Sequence, residues 1–405
     1  MSDWFLTPYH QQLRGQVRAF AEAEVAPYVQ RMETSGQVER EVAAKIAAQG
    51  WIGATIEAAY GGMGAGHLAK TLIIEELSRT CAAMGAMVQA SQLGVAKVVR
   101  YGTEEQKQRW LPSFADGTCL PTIAVTEPDS GSHVLGMEAT ARRDGDHYVL
   151  TGRKIYVGNS HIAGVHGVVA RTGPGSRGLT AFLVEADRPG VTVPAHPGTL
   201  GLHGFSFGEL RLDHCRIPAV NRLGQEGEGL DIAYSSSVLY GRPNLTGVAL
   251  GIHQAIAEET VRFATERHRY GEPLHDLPTV RHKIGEIQSR LMTARLAAYH
   301  AAHLLDIGRP CDTELMNAKL INVEWAIDSA RTAMEIHAAA GLFTNRPIER
   351  YLRDAFHLVA PAGTSDIQLL RLGEAALGLD KGQWSSPATP PLDPDPDPDL
   401  TPPDA

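Results

Sequence analysis

The stretch AVTEPDSGSHVLGMEATARRDGDHYVLTGRKIYVGN, residues 124–159, decides the fold. Within it, Asp144-Gly145 stands between two short runs, 139–142 and 147–150. Asp-Gly between such runs is a hairpin signal, because the turn needs residues that accept positive φ. Further short runs with β-branched residues lie at 154–157, 165–171, 179–184, 191–193 and 209–212, set apart by Gly, Asp and Pro. Several short strands with turn signals between them predict a small barrel or sandwich.

On both sides of this region the texture becomes helical. Upstream, Leu13, Val17 and Phe20 fall at i, i+4 and i+7, one apolar stripe, and Pro27 sits where that helix should end. A second helix is expected near 43–50, and Gly61-Gly62 marks a turn. The largely apolar run 72–84 reads as one helix, with Glu75 and Glu76 on its wetter side. Downstream, Ile252, Ile256 and Phe263 share one helix face, and Ile284, Ile287, Leu291 and Ala294 share another. The order is helices, strands, helices. The expected fold class is therefore α+β: an N-terminal helical domain (1–120), a central β-barrel or sandwich domain (121–233) and a C-terminal four-helix bundle (234–383). The remainder, 384–405, is rich in Pro and Asp. It is expected to be disordered, because Pro removes donors and the aspartates repel one another.

Composition narrows the function classes. The net charge of −9 argues against a nucleic-acid partner, which needs a basic stripe. The four cysteines, Cys81, Cys119, Cys215 and Cys311, form no Cys-x-x-Cys pair, so no metal site is expected. They read as reduced thiols of a cytoplasmic protein. No signal peptide or membrane-spanning run is visible, so no membrane association is expected.

Four further segments carry chemistry: ERHRYG at 266–271, EIHAAAG at 335–341, LYGRP at 239–243 and HLVAPAGTSDIQ at 357–368. Together with TEPDSGS (126–132) and YVGN (156–159), they occur in the order and spacing of the acyl-CoA dehydrogenases, and over roughly residues 8–382 the chain resembles that family. The resemblance implies FAD as cofactor and a homotetramer or homodimer with the flavin at the subunit interface. It also implies an acyl thioester substrate, on CoA or on an acyl-carrier protein. The electron acceptor would be an electron-transfer flavoprotein or dioxygen.

Residue by residue, the resemblance places Ile123, Ala124, Val125 and Thr126 along the isoalloxazine ring. Gly131 allows close backbone approach, and Ser132 touches both flavin and acyl-pantetheine arm. Tyr156 is the aromatic cover beside Val157. Gly158 stands where the family has a threonine whose hydroxyl reaches flavin N5. Arg267 fits the family's pyrophosphate-binding arginine, since a guanidinium forks onto a diphosphate; Tyr270 replaces a phenylalanine in the same motif. Leu277-Pro278 stands where the family often has Phe-Gln, which implies a lost adenosine contact. Glu335 and Ala339 lie in a segment that wraps the partner's FAD, where Ala338 and Ala339 replace two glycines. Thr364, Ser365 and Asp366 keep the cofactor end of the last motif, and residues 348–355 read as a structural helix with internal ion pairs.

The base is what departs. α,β-Dehydrogenation needs a group that removes the proton alpha to the thioester. The family's glutamate is Ala362 here, and the alternate position used by some members is Gly241. Leu239 replaces an acid that helps bind the pantetheine amide, whereas Arg242 is retained. Tyr240 and His357 are the nearest substitutes for the base, and Ser132, Tyr240, Arg242 and Gly363 are the substrate-side candidates. The expected activity is an FAD-dependent acyl-thioester oxidoreductase of specialised metabolism, with a non-standard base. The alternatives are an oxidase, monooxygenase or non-redox enzyme on the same fold, and a non-catalytic partner subunit that binds FAD or thioester.

Overall fold

A computed structural model describes residues 5–195, 197–379 and 384–385. The expected disorder of 384–405 therefore falls almost wholly outside the described residues.

Helix α1 (Pro8–Phe20) starts at a Thr7 capping box, in which His10 closes the reciprocal bond. Leu13 and Val17 are buried, and Phe20 meets Trp51 edge-on. The chain does not stop at Pro27. It passes through a wide turn (Ala21–Val25) and a tight one (Ala26–Tyr28) into α2 (Val29–Ser35) and α3 (Arg40–Ala47). The run expected as one helix is two: α4 (Gly66–Thr80) and α5 (Ala82–Tyr101), with Cys81 extended between them. A Cβ on Gly85 would fall 1.8 Å from Ser78 Oγ, so the break brings the two helices into backbone contact at a glycine. Glu75 and Glu76 are not on a wet face but 3% and 1% exposed. Both are answered from afar. Glu75 takes Arg295 (3.2 Å) and the Tyr299 hydroxyl (2.6 Å), and Glu76 takes Arg18 (2.8 Å). Helix α6 (Glu104–Ala115) completes this part.

The sheet contains β1 (Pro121–Ala124), β2 (Thr140–Asp144), β3 (His147–Gly158), β4 (Val165–Arg171), β5 (Leu179–Glu185), β6 (Val191–Thr192), β7 (Phe207–Pro218) and β8 (Arg222–Leu223). Its order is β6-β7-β3-β2-β4-β5-β8, with β1 parallel to β4. Beyond β1, Thr126 O accepts from Ile155 N (2.9 Å), so β1 bridges β4 and β3 and the sheet folds back on itself. The Asp144-Gly145 hairpin is present. The expected strand at 154–157 is the end of β3, which continues through register shifts at Leu150/Gly152 and Lys154/Val157. Tyr148, Leu150, Phe182, Leu210, Cys215 and Ile217 fill the interior.

Helices α7 (Gly229–Ser236), α8 (Arg242–Glu266), α9 (Pro278–Asp306) and α10 (Asp312–His337) follow. Helices α8, α9 and α10 pack side by side, and α8 and α9 pack against α4. A short hairpin, β9 (His268–Arg269) with β10 (Glu272–Pro273), joins α8 to α9. Helices α11 (Ile348–His357) and α12 (Ser365–Ala376) close the bundle. Arg353 on α11 pairs with Glu349 (2.7 Å) and with Glu33 (2.8 Å), which ties the last helices to the first. No helix among the described residues is long and apolar enough to cross a membrane, and among them no cluster of His, Cys, Asp or Glu could hold a metal ion.

Candidate active site

One wall is built by β1 and the end of β3. Residues 123–126 run beside 154–158: Lys154 Nζ donates to Val125 O (3.0 Å), and Thr122 Oγ1 donates to Gly158 O (2.6 Å). Lys154 is fully buried and its charge is met by Glu127 at 2.6 Å. Burial lowers the Lys154 ammonium from its usual range. Glu127 also accepts from the backbone N–H of Glu138 (2.6 Å), so one carboxylate fixes the loop that carries Gly131 and Ser132. Those two residues are exposed, and a Cβ at Gly131 would meet no protein atom within 4 Å.

Tyr156 interrupts β3 with a φ of +56° and presents its ring outward, 65% exposed. A left-handed non-glycine residue costs about 1–2 kcal/mol, so the surroundings must hold it there. They do. Three residues on, Asn159 (φ +58°) donates to Met87 O (2.8 Å) and Ser91 Oγ (3.0 Å) on α5, and its N–H bonds Ser206 O (2.6 Å). Tyr156 stacks on Phe207 (centroids 5.7 Å apart), and Phe207 stacks on Phe205 (5.8 Å). His357 meets Phe207 edge-on at 5.2 Å, and burial lowers its imidazole to about 4. At neutral pH it is uncharged and packed against this ladder.

The second feature joins α8 to the 358–364 loop. Residues Ser237–Gly241 form a π-helical turn ahead of α8. A Cβ on Gly241 would lie 3.2 Å from Ala362 Cβ and 3.5 Å from Leu93 Cδ2. Two residues 121 positions apart by numbering thus meet at one point, with Ser237 Oγ as the polar atom beside it, 3.7 Å from the Gly241 Cβ position. Ala362 and Gly363 both have positive φ (+55° and +90°), so the loop turns sharply there. Lys319 on α10 holds it, donating to Val359 O and Gly363 O at 2.9 Å each. Burial lowers the Lys319 ammonium to about 8, with Arg242 repelling it. Arg242 is itself lowered to about 10 by burial, and its Nε has no hydrogen-bond partner among the described residues. Beyond the turn, the Thr364 hydroxyl caps α12 (from Ile367 N, 3.4 Å), the Ser365 hydroxyl donates to Glu324, and Asp366 lies in the first turn.

Tyr240 takes a different course from its neighbour Gly241. It is 4% exposed, with its ring 4.9 Å from that of His67 and 4.3 Å from Lys70 Nζ. Burial raises its phenol. Leu239 is buried in an apolar cluster with Cys311 and Leu315, against which Trp384 packs.

Not all the expected cofactor residues converge. Arg267 and Tyr270 sit on the exposed β9–β10 hairpin, and Glu335 and Ala339 at the end of α10, where Glu335 pairs with Lys283. The two groups are near one another, as His337 stacks on Phe263 at 4.1 Å. They lie at the opposite end of α8 from Arg242, and that helix of 25 residues spans about 37 Å. Lys319, Phe205, Phe207 and Thr122 were not among the expected residues. Lys319 had one sequence signal, a lone charge among Leu315, Ala318 and Asn322 on a buried face.

Residues 7–118, 122–215 and 227–377 match the family models described as acyl-CoA dehydrogenase N-terminal, middle and C-terminal domains. An acyl-CoA dehydrogenase of Bacillus subtilis is 34% identical over 90% of this chain and 97% of its own. The structure of butyryl-CoA dehydrogenase from Megasphaera elsdenii superposes with a TM-score of 0.90 at 30% identity, over 92% of this chain and 99% of that one. A prolyl acyl carrier protein oxidase gives 0.86 at 30% identity, over 91% and 99%.

Proposed function

The chain belongs to the acyl-CoA dehydrogenase family, and from that premise we propose that it is an FAD-dependent oxidoreductase acting on an acyl thioester, borne by CoA or by a carrier protein, with a base other than the usual glutamate. The observation that carries the last part is the 3.2 Å approach of Ala362 Cβ to the Cβ position of Gly241. Both positions from which the family draws its base converge, and neither side chain can accept a proton.

The residues fit the cofactor. A planar ring system suits the outward, pinned Tyr156 and the adjoining backbone of Ile123, Ala124, Val125 and Thr126, and the open space over Gly131 leaves room for it. In this reading Val157 and Gly158 continue that wall, and Thr364, Ser365 and Asp366 border it from α12. Arg267, Tyr270, Glu335 and Ala339 are too far along the bundle to serve the same wall, so they serve a second copy of the chain in a homodimer or homotetramer. When bound, FAD supplies a hydride acceptor. The chain's own residues orient the thioester: Ser132 and Arg242 flank its path, and Gly363 holds the turn open beside Ala362. Lys319 and Arg242 place positive charge near that turn, which favours enolate character in a substrate whose alpha proton is already acidic.

The test is the visible spectrum of the purified protein with a panel of CoA and carrier-bound thioesters under anaerobic conditions. Bleaching of the oxidised flavin band by a thioester supports the reading. A flavin band that no thioester bleaches counts against it, and a colourless protein that FAD does not reconstitute removes the redox reading altogether. Gly158, with no hydroxyl to offer, and the likeness to a carrier protein oxidase favour a second reading in which dioxygen is the electron acceptor. Peroxide formed without added acceptor would support it.

A further inference from the structure

Position 158 has no side chain, and the structure contains a physical reason. A Cβ built on Gly158 would fall 2.9 Å from Phe205 Cζ and 2.9 Å from Ala90 Cβ, closer than real Cβ atoms come. Phe205 is held where it is. It is 6% exposed, stacks on Phe207 at 5.8 Å, and its N–H bonds Leu202 O (2.9 Å). The neighbouring residue is fixed too: Ser206 O accepts from Asn159 N and the Ser206 hydroxyl accepts from His161 N (2.9 Å). Both the phenyl ring and the glycine backbone are therefore anchored, and neither yields to the other cheaply. Among the described residues, the one hydroxyl bonded to Gly158 is that of Thr122, and it is spent on the Gly158 carbonyl at 2.6 Å.

We propose that Phe205 and Gly158 act as a matched pair that makes this part of the cofactor wall apolar and free of hydroxyl donors, and that Phe205 is thereby a positioning residue that sets the redox potential of the bound flavin. The inference rests on the FAD reading above. Its physical content is simple. Reduction adds electron density to the flavin's central ring, and a donor facing that ring stabilises the reduced form. An aromatic edge and a bare glycine offer no such donor. The reduced form is then less favoured than it would be with a hydroxyl at 158, and electrons pass on more readily. The hydroxyl cannot be restored by one substitution, because Phe205 Cζ and Ala90 Cβ both stand 2.9 Å from the Cβ position; the three positions must change together.

The experiment uses the full-length, FAD-loaded protein and reads its midpoint potential against a reference dye, together with the FAD dissociation constant from flavin fluorescence. Three variants are compared with wild type: Gly158→Thr alone, Gly158→Thr with Phe205→Ala (the Thr/Ala pair) and Gly158→Val with Phe205→Ala (the Val/Ala pair), both pairs also carrying Ala90→Gly to clear the second 2.9 Å contact. Threonine and valine have nearly the same shape, so the two pairs differ in the hydroxyl alone. Gly158→Thr by itself should weaken FAD binding at least tenfold or fail to fold. The Thr/Ala pair should bind FAD within about threefold of wild type. Its reduced-to-oxidised ratio at fixed potential should rise about tenfold, a shift of about 30 mV for a two-electron couple. The Val/Ala pair should stay at the wild-type potential. Equal potentials in the Thr/Ala and Val/Ala proteins would overturn the inference while leaving the FAD reading intact. So would a Gly158→Thr protein that folds and binds FAD as wild type does. A wild-type protein that binds no FAD would remove both.

Discussion

Substituting Ala362 by glutamate tests the proposed function at its most exposed point. The backbone there already has φ +55°, so the left-handed penalty of about 1–2 kcal/mol is present with alanine and is not added by the change. The new Cγ must leave on the side away from Gly241, since the Cβ already stands 3.2 Å from that glycine's Cβ position, with Leu93 on the same side. The carboxylate then enters a region with two buried cations. Lys319 holds the very next carbonyl, Gly363 O, at 2.9 Å, and Arg242 follows Gly241 in sequence, its Nε unpaired among the described residues. Neighbouring positive charge keeps a carboxylate ionised, so the new group is a base at neutral pH. A positioned general base accelerates proton transfer by about 10²–10⁴-fold, or about 2.7–5.4 kcal/mol of barrier. The assay is anaerobic: the rate at which butyryl-CoA bleaches the flavin band of Ala362→Glu, compared with wild type and with Ala362→Gln. The glutamine variant controls for size and hydrogen bonding. We expect the glutamate protein to exceed both by at least a hundredfold. If Ala362→Glu binds FAD and the thioester but bleaches no faster than Ala362→Gln, the acyl chain does not pass this point, and the proposed site geometry is wrong.

Arg295→Met should destabilise the fold by about 3–5 kcal/mol in chemical denaturation, because it leaves Glu75, 3% exposed, with an uncompensated charge; a loss below 1 kcal/mol would mean that Tyr299 alone satisfies that carboxylate. Lys97, fully buried and donating to Gly167 O at 2.9 Å, has its ammonium lowered to about 7 by burial. Its native pKa lies below the ordinary value of 10.5, so the cost of burying the charge is fully present below pH 7 and is relieved as the native state releases the proton above it. Stability relative to a Lys97→Met variant should therefore rise between pH 7 and 9 by about 1.4 kcal/mol per pH unit, and parallel stability curves for the two proteins would refute this. Tyr156→Ala should weaken FAD binding about tenfold, or about 1.4 kcal/mol, while leaving unfolding of the FAD-free protein nearly unchanged, because the ring is 65% exposed; unchanged flavin affinity would place the cofactor elsewhere.

The sequence revealed those features whose causes are local. The hairpin at Asp144-Gly145 and the strand β4 (Val165–Arg171) follow from turn chemistry and β-branched content within a dozen residues. The helix break at Cys81 had no Gly or Pro to announce it; its cause is the contact of Gly85 with Ser78 as α5 packs on α4. Strand β3 looked like two strands because Gly152 and the two register shifts interrupt its pattern, although pairing with β7 resumes beyond each. Glu75 and Glu76 looked solvated because charge near a helix face usually is; Arg295 and Tyr299, which allow Glu75 to be buried, come 220 and more positions later. The motifs gave an expectation of which residue types line the wall, but not that Ala362 and Gly241 meet, nor that Phe205 fills the room beside Gly158.

Taken together, the framework and the chemistry of this site are held by different kinds of interaction. The framework is pinned by directed bonds to buried polar groups: Lys154 donates to Glu127 and Val125 O, Asn159 to α5 and Lys319 to the 358–364 loop, and Asp354 Oδ1 accepts from Leu202 N at 2.6 Å. Removing any one of these leaves a buried donor or acceptor unpaired, at about 1–3 kcal/mol or more, so their identities are constrained by folding alone. The departing positions carry no such bonds through their side chains. Gly241 meets Ala362 and Leu93 by van der Waals contact, and Gly158 meets Phe205 and Ala90 in the same way. Such contacts constrain summed volume rather than identity, so the side chains at these positions can change while the fold that presents them stays whole. That asymmetry is why the family is legible from the framework, whereas the reaction must be tested at the contacts.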